Sequence, residues 1–229
     1  MTDRTQPTAV ITGGSRGLGR ALAAALAERG WRLVIDARRT EDLAAVAAGL
    51  PDALAIPGDV TEPAHRATLS DAVDVLDLLV NNASDLGPAP LPPLAEYPLD
   101  GLRHVYETDI VAPLALTQLL LPKLRSAQGT VVNISSDAAV EAYPGWGGYG
   151  SAKAALDHIS AVLAAEEPDI HVYAVDPGDM RTEMHQAAYP GEDISDRPLP
   201  ESVVPALMAL LAHRPASGRF RLADLAVPT

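Results

Sequence analysis

The sequence predicts an α/β fold, a doubly wound parallel sheet, and three observations carry that prediction. Short apolar runs alternate with longer Ala- and Leu-rich segments of helical period, the pattern of parallel strands joined by helical crossovers. A glycine-rich turn, Thr12-Gly13-Gly14-Ser15-Arg16-Gly17-Leu18-Gly19, stands between the first such strand and the first helix. With 229 residues, 48% of them hydrophobic, the chain is long enough to bury one core as a single domain over residues 1–229.

Thr8 to Thr12 reads as the first strand, and Gly17 to Arg29 as a helix that Gly30 can end as a left-handed cap. Arg32 to Asp36 is the second strand and Glu41 to Ala48 the second helix. Leu54 to Pro57 and Leu76 to Asn81 supply two more strands, with a weaker helix near Ala64 to Val73 between them. From Ser84 to Pro98, the prolines Pro88, Pro90, Pro92, Pro93 and Pro98 forbid a regular helix and imply a loop. A long helix is expected from about Leu99 to Arg125, kinked at Pro113, where a backbone donor is missing. Thr130 to Ser135 reads as a strand, Tyr149 to Glu167 as a helix and His171 to Val175 as a strand. His185 to Pro200 is polar and carries Pro190, Pro198 and Pro200, the composition of a lid or an irregular surface excursion. A helix near Glu201 to Ala212 and a strand at Arg219 to Leu222 close the chain.

Seventeen basic against 30 acidic residues give a net charge of −13, which repels phosphate backbones and acidic membrane surfaces, so neither nucleic acid nor membrane is an expected partner. The absence of cysteine excludes disulfides, thiolate metal sites and cysteine nucleophiles. The six histidines, at positions 65, 104, 158, 171, 185 and 213, show no HxH or HExxH spacing, so surface or core placement is expected and no metal site. Met1 to Thr8 is polar and offers no apolar signal segment. Apolar helical stretches such as Ala21 to Ala27 fall far short of a membrane span. A soluble cytoplasmic protein is the expectation.

The glycine turn lets backbone N–H groups approach a diphosphate, while the helix N-terminus behind it supplies partial positive charge. A second constellation lies downstream. Only two lysines occur, and one, Lys153, follows Tyr149 by four positions on a predicted helix. Residues i and i+4 share a helix face, so the ammonium can lie under the tyrosine ring and favour its phenolate. A compact ammonium suits this role where a planar guanidinium does not. Ser136 precedes the pair.

Together these residues resemble the short-chain dehydrogenase/reductase family in its compact, Rossmann-like, single-domain form. Thr12 to Gly19 is similar to its TGxxxGxG motif, Asp59-Val60 to its adenine-contacting pair, and Asn81-Asn82-Ala83 to most of its NNAG motif. Ser136, Tyr149 and Lys153 resemble its catalytic set, and Pro177-Gly178 with Thr182 and Met184 the segment that flanks the nicotinamide. Two positions depart from the pattern: Ser84 replaces the last glycine of NNAG, and Asp109 stands where the long central helix usually carries asparagine.

The resemblance implies an oxidoreductase that transfers hydride between a nicotinamide dinucleotide and a carbonyl or alcohol, a carbonyl reductase or alcohol dehydrogenase. Tyr149 would give its proton to the carbonyl oxygen and Ser136 would donate a hydrogen bond to it; Lys153 would also bind the nicotinamide ribose. Gly13, Ser15, Arg16, Gly17, Leu18, Gly19, Asp59, Val60, Asn81, Ala83, Pro177, Gly178 and Thr182, with Tyr149 and Lys153, would contact the cofactor. Ser135, not Ser136, is the expected cap of the strand-to-loop transition. Asp109 joins the catalytic set with two readings open. Ionised near Lys153 it would steady the ammonium and partly cancel its field at Tyr149; turned to a local backbone donor or to solvent it would leave Tyr149 untouched.

In NAD-preferring members an acidic side chain at the end of the second strand bonds the adenosine ribose. Registered against the family pattern, Ala37 takes that position in Asp36-Ala37-Arg38-Arg39, and Asp36 faces away. Arg38 is then free to hold a 2′-phosphate, with Arg16 as a second cation. NADP(H) is therefore expected, whereas a one-residue slip would turn Asp36 inward and favour NAD(H). Leu86, Tyr143, Trp146, Met180, Met184 and Tyr189 either line a pocket for a small hydrophobic substrate or pack the loops against the sheet. A homodimer or homotetramer through the long helix and the Tyr/Lys helix is implied, where Leu116, Leu119, Leu120 and Leu121 exceed one sheet-facing stripe. A catalytically weak NADP(H)-binding sensor is the alternative; an epimerase or dehydratase fits the length less well.

Overall fold

Seven strands alternate with helices in the computed structural model, which describes residues 6–225; Met1 to Thr5, within the polar start, lie outside the described residues. The strands are β1 (Thr8–Ile11), β2 (Arg32–Ala37), β3 (Ala53–Pro57), β4 (Leu78–Asn81), β5 (Thr130–Ile134), β6 (His171–Asp176) and β7 (Gly218–Arg221). The helices are α1 (Gly17–Ala27), α2 (Thr40–Ala48), α3 (Pro63–Asp71), α4 (Leu99–Tyr106), α5 (Ala112–Ala127), α6 (Gly147–Glu166), α7 (Glu183–Ala188) and α8 (Pro200–His213). All neighbouring strands pair in parallel, in the order β3-β2-β1-β4-β5-β6-β7.

A parallel sheet covered on both faces needs apolar side chains on both, which is why the inner strands read as unbroken runs such as Ala9-Val10-Ile11 and Leu33-Val34-Ile35. Ile11, Leu33, Ile35, Val80 and Val175 pack with Leu22 and Leu26 of α1 and Leu207 and Leu210 of α8. Val10, Val34, Leu79, Val131 and Val172 meet Leu69 of α3 and Leu116, Leu120 and Leu124 of α5 on the other face. Of the leucines expected in excess on the long helix, Leu116 and Leu120 thus belong to the core and Leu121 packs against it. Leu119 remains 44% exposed. The chain runs outward from β1 to β3 and returns to β4 on the other side of β1. That reversal opens a crevice beyond the C-terminal ends of β1 and β4, the usual ligand position in such sheets.

Two expected segments differ. The long helix is not continuous with a bend at Pro113. α4 passes into a π-helical turn over Glu107–Val111, closed by the Ala112 N–H on the Glu107 carbonyl, and α5 follows. Pro113 lies in the first turn of α5, but it has no N–H for the Asp109 carbonyl, so the ladder widens on its N-terminal side. The predicted irregular excursion begins with α7, whose first turn is capped by the Thr182 hydroxyl accepting the His185 N–H at 3.1 Å. Only residues 189–199 lack helix and strand. Among the described residues no helix is long and apolar enough to cross a membrane.

Candidate active site

A cleft of about 1250 Å³ runs along the C-terminal ends of the strands, with the glycine turn at one end and Ser136, Tyr149 and Lys153 at the other. Gly13 and Gly17 take φ of +67° and +53°, values that side chains strain to adopt. A Cβ on Gly19 would lie 2.4 Å from the Gly13 carbonyl, so Gly19 packs beneath the turn while Gly13, Ser15, Arg16, Gly17 and Leu18 line the cleft. No side chain caps the N-terminus of α1 and no acidic residue occupies its first turn. Its first N–H groups are thus left for an anion, and a dinucleotide diphosphate fits that donor set.

At the rim, Asp59, Val60, Ala83, Ala37 and Arg38 line the cleft. Arg38 is exposed, and among the described residues no hydrogen bond or ion pair holds it. Arg16 differs from the expectation of a second free cation, because it is ion-paired with Glu183. Asp36 is 1% exposed, with Oδ1 accepting the Gly13 N–H at 2.8 Å and Oδ2 2.9 Å from His65 Nε2. Asn81 lies behind the lining, its amide donating to Asn133 Oδ1 at 2.7 Å and Thr117 Oγ1 at 3.3 Å. Asn82 takes the cleft position instead and ties the turn down by donating to the Thr12 and Gly13 carbonyls at 2.8 and 3.1 Å.

The helical spacing of Tyr149 and Lys153 on α6 sets the ammonium 5.3 Å from the ring centre. Lys153, 2% exposed, donates to the Ile134 carbonyl at 2.9 Å and stands 4.0 Å from Asp109 Oδ1. The π-turn carries Asp109 to this point. The same Oδ1 also accepts the Asp85 N–H at 3.0 Å, so Asp109 meets a local backbone donor as well as standing near the ammonium. Oδ2 and the nearby Ser84 Oγ are buried and complete no hydrogen bond. Burial raises the Asp109 carboxyl above its ordinary range against the opposing pull of Lys153. Tyr149 is likewise raised well above the usual phenol value, first by burial and then by the charge of Asp109, with the Ser136 hydroxyl opposing.

Ser136, not Ser135, caps the turn after β5. Its Oγ accepts the Ala138 N–H at 3.2 Å and donates to Asp137 Oδ1 at 3.0 Å, whereas Ser135 Oγ is buried without a partner. The reason is orientation: Ser136 is the residue that leaves the strand facing both the turn and the cleft. Arg219 of β7, which carried no signal in the sequence, donates to the Ser136 carbonyl at 2.8 Å and to Asp157 at 2.8 Å, fixing the serine backbone from the sheet edge. Pro177, Gly178 and Thr182 line the neighbouring wall, with the Gly178 N–H on Asp176 Oδ1 at 2.9 Å. Leu86, Tyr143, Trp146, Met180, Met184 and Tyr189 all border the cleft. They also pack: Leu86, Trp146 and Met184 cluster with Tyr149, and Trp146 meets the Tyr149 ring edge-on at 5.8 Å.

A profile of the short chain dehydrogenase family matches residues 7–193. A serine 3-dehydrogenase of Agrobacterium fabrum is 37% identical over 184 residues, 77% of this chain and 73% of that protein. The sepiapterin reductase of Mus musculus is 36% identical over 200 residues, 78% and 76% of the two chains. A short chain dehydrogenase of Escherichia coli solved in complex with NADPH superposes with a TM-score of 0.88 at 26% identity, over 94% of this chain and 96% of that one. With the family profile covering residues 7–193 and relatives above 30% identity over more than two thirds of the chain, the chain belongs to the short-chain dehydrogenase/reductase family of oxidoreductases.

Proposed function

We propose that this protein is an NADP(H)-dependent carbonyl reductase or alcohol dehydrogenase acting on a small, hydrophobic carbonyl or alcohol. The observation that carries the reading is one continuous cleft with the exposed Arg38 at one end and Ser136, Tyr149 and Lys153 at the other. A bound nicotinamide supplies or accepts the hydride. In reduction, the Tyr149 phenol gives its proton to the carbonyl oxygen, and the Ser136 hydroxyl turns from Asp137 to donate to the same oxygen. Lys153, fixed by the Ile134 carbonyl, keeps a cation beside the phenolate left on Tyr149. The apolar wall of Leu86, Trp146 and Met184 supports a hydrophobic substrate, and Ala37, which has no carboxylate to repel a 2′-phosphate, supports NADP(H) over NAD(H). Association as a homodimer or homotetramer through α5 and α6 is part of the proposal, with Leu119 and Val162 as exposed apolar residues on those helices.

The test is NADPH oxidation with a panel of aldehydes, ketones and quinones, repeated with NADH. Turnover that is faster with NADPH supports the reading. Tight NADPH binding with no turnover on any carbonyl would replace it with the sensor reading, and a preference for NADH would overturn the cofactor assignment.

A further inference from the structure

Asp36 and His65 are a buried acid and base for which the proposed reaction has no use, 1% and 8% exposed. Asp36 sits at the end of β2 and holds two successive N–H groups of the glycine turn: its Oδ1 accepts from Gly13 and its own carbonyl accepts from Gly14, both at 2.8 Å. Its other carboxylate oxygen is 2.9 Å from His65 Nε2. His65, in the first turn of α3, lies so close over Gly58 that a Cβ there would come within 2.1 Å of Nδ1. The adjacent Arg66 donates to the Val60 carbonyl at 2.6 Å. The start of α3 thereby holds the Gly58-Asp59-Val60 segment, and His65 links that segment to Asp36. Three separate parts of the cleft, the glycine turn, the end of β2 and the turn after β3, meet on one carboxylate.

We propose that Asp36 and His65, joined across the cleft floor between Gly13 and Gly58, form a shared proton site that positions the glycine turn, and that dinucleotide binding is accompanied by proton uptake at this pair. The inference rests on the dinucleotide reading given above. With one proton between them the two side chains carry no net charge; without it, a net negative charge lies one hydrogen bond from Gly13, on the floor that receives a diphosphate. The other charged groups around the pair do not offset it. Asp59, in the turn after β3, has the same sign, and Arg66 of α3, which points to the Val60 carbonyl, is not among the charges that act on Asp36. Arg38, beyond the end of β2, acts on Asp59, and Arg16 of the glycine turn is paired with Glu183. Burial raises the Asp36 carboxyl, with the His65 and Gly13 contacts opposing. An anion brought to Gly13 disfavours the deprotonated pair, so binding and protonation favour each other by the same factor.

The experiment is titration calorimetry of the whole protein with NAD⁺ and NADP⁺, in two buffers of different ionisation enthalpy, between about pH 6 and 9. NAD⁺ is the cleaner probe, because the 2′-phosphate of NADP⁺ has its own ionisation near pH ~6 with the opposite sign. The expected result is net proton uptake on NAD⁺ binding, with Kd rising on the alkaline side by up to about tenfold per pH unit, the limit for one proton. Asp36→Asn, whose amide can still accept from Gly13 and donate to His65, and His65→Gln should each flatten that slope. Nucleotide binding without proton uptake, or an unchanged slope in both variants, overturns the proposal. Should Asp36→Asn fail to fold, the two-buffer comparison on the parent protein and His65→Gln still decide. A protein that binds neither nucleotide at any pH refutes the dinucleotide reading itself, and this inference with it.

Discussion

Replacing Asp109 by asparagine removes a buried charge 4.0 Å from the Lys153 ammonium while keeping the shape of the side chain. The amide oxygen can still accept the Asp85 N–H, and its NH₂ can meet Ser84 Oγ, which otherwise has no partner. The electrostatic consequence follows from the distances. Lys153 Nζ is 5.3 Å from the centre of the Tyr149 ring. The phenol oxygen is therefore no more than about 12 Å from Asp109, where a unit charge at an effective dielectric constant of about 20 is worth at least about 1.4 kcal/mol, or about one pH unit. The sign is set by the form that the charge disfavours. An Asp109 carboxylate opposes the phenolate and raises Tyr149, so its removal lowers the tyrosine. Because burial also raises Asp109 itself, its charge is present only above its own titration, and parent and variant should diverge on the alkaline side. Carbonyl reduction, which needs the phenol, should persist to higher pH in the parent; alcohol oxidation, which needs the phenolate, should begin at lower pH in Asp109→Asn. The assay is kcat/KM against pH in both directions. An apparent pKa that falls by about one unit in the variant supports the coupling. An unchanged or raised value refutes it.

Tyr149→Phe should keep the fold and cofactor affinity yet lose carbonyl reduction by at least about 10²-fold, the low end for a removed general acid, as read by steady-state rates alongside nucleotide binding. Arg38→Ala should weaken NADPH more than NADH, since it removes a charge-assisted contact made only to the 2′-phosphate; equal losses in Kd for the two cofactors would refute that contact. Leu119→Glu places a charge on the apolar surface of α5 and should shift the sedimentation mass toward the monomer. A parent protein that is already monomeric at every concentration would reject the pairing surface.

The parts of the molecule that are legible in the sequence have geometry set within one turn or one element. Tyr149 and Lys153 converge because four residues make about one helical turn, and the glycine turn is readable because its conformations exclude side chains. The apolar runs of a sheet covered on both faces identify the parallel strands without any pairing information. The distortion of the long helix is less direct. Proline suggests a bend at its own position, whereas its missing N–H acts on a carbonyl one turn earlier, and that offset is what carries Asp109 toward Lys153.

Contacts between distant segments follow a different rule. Arg16 looks free next to its neighbours, but Glu183, 167 positions away, reaches it across the cleft. Asp36 and His65 are 29 positions apart and meet because the path from β2 through β3 returns the first turn of α3 over the end of β2. Strand alternation predicts that Asp36 faces away from the ribose, but not what it meets there. Burial supplies the missing step: a carboxylate at 1% exposure must be met by donors or take up a proton. The donors within reach are the Gly13 N–H and the His65 ring, so the carboxylate at the end of β2 is the one that comes to hold the glycine turn. Gly58, next to the recognisable Asp59, is the local mark of that arrangement, because any side chain there would occupy the space of the His65 ring.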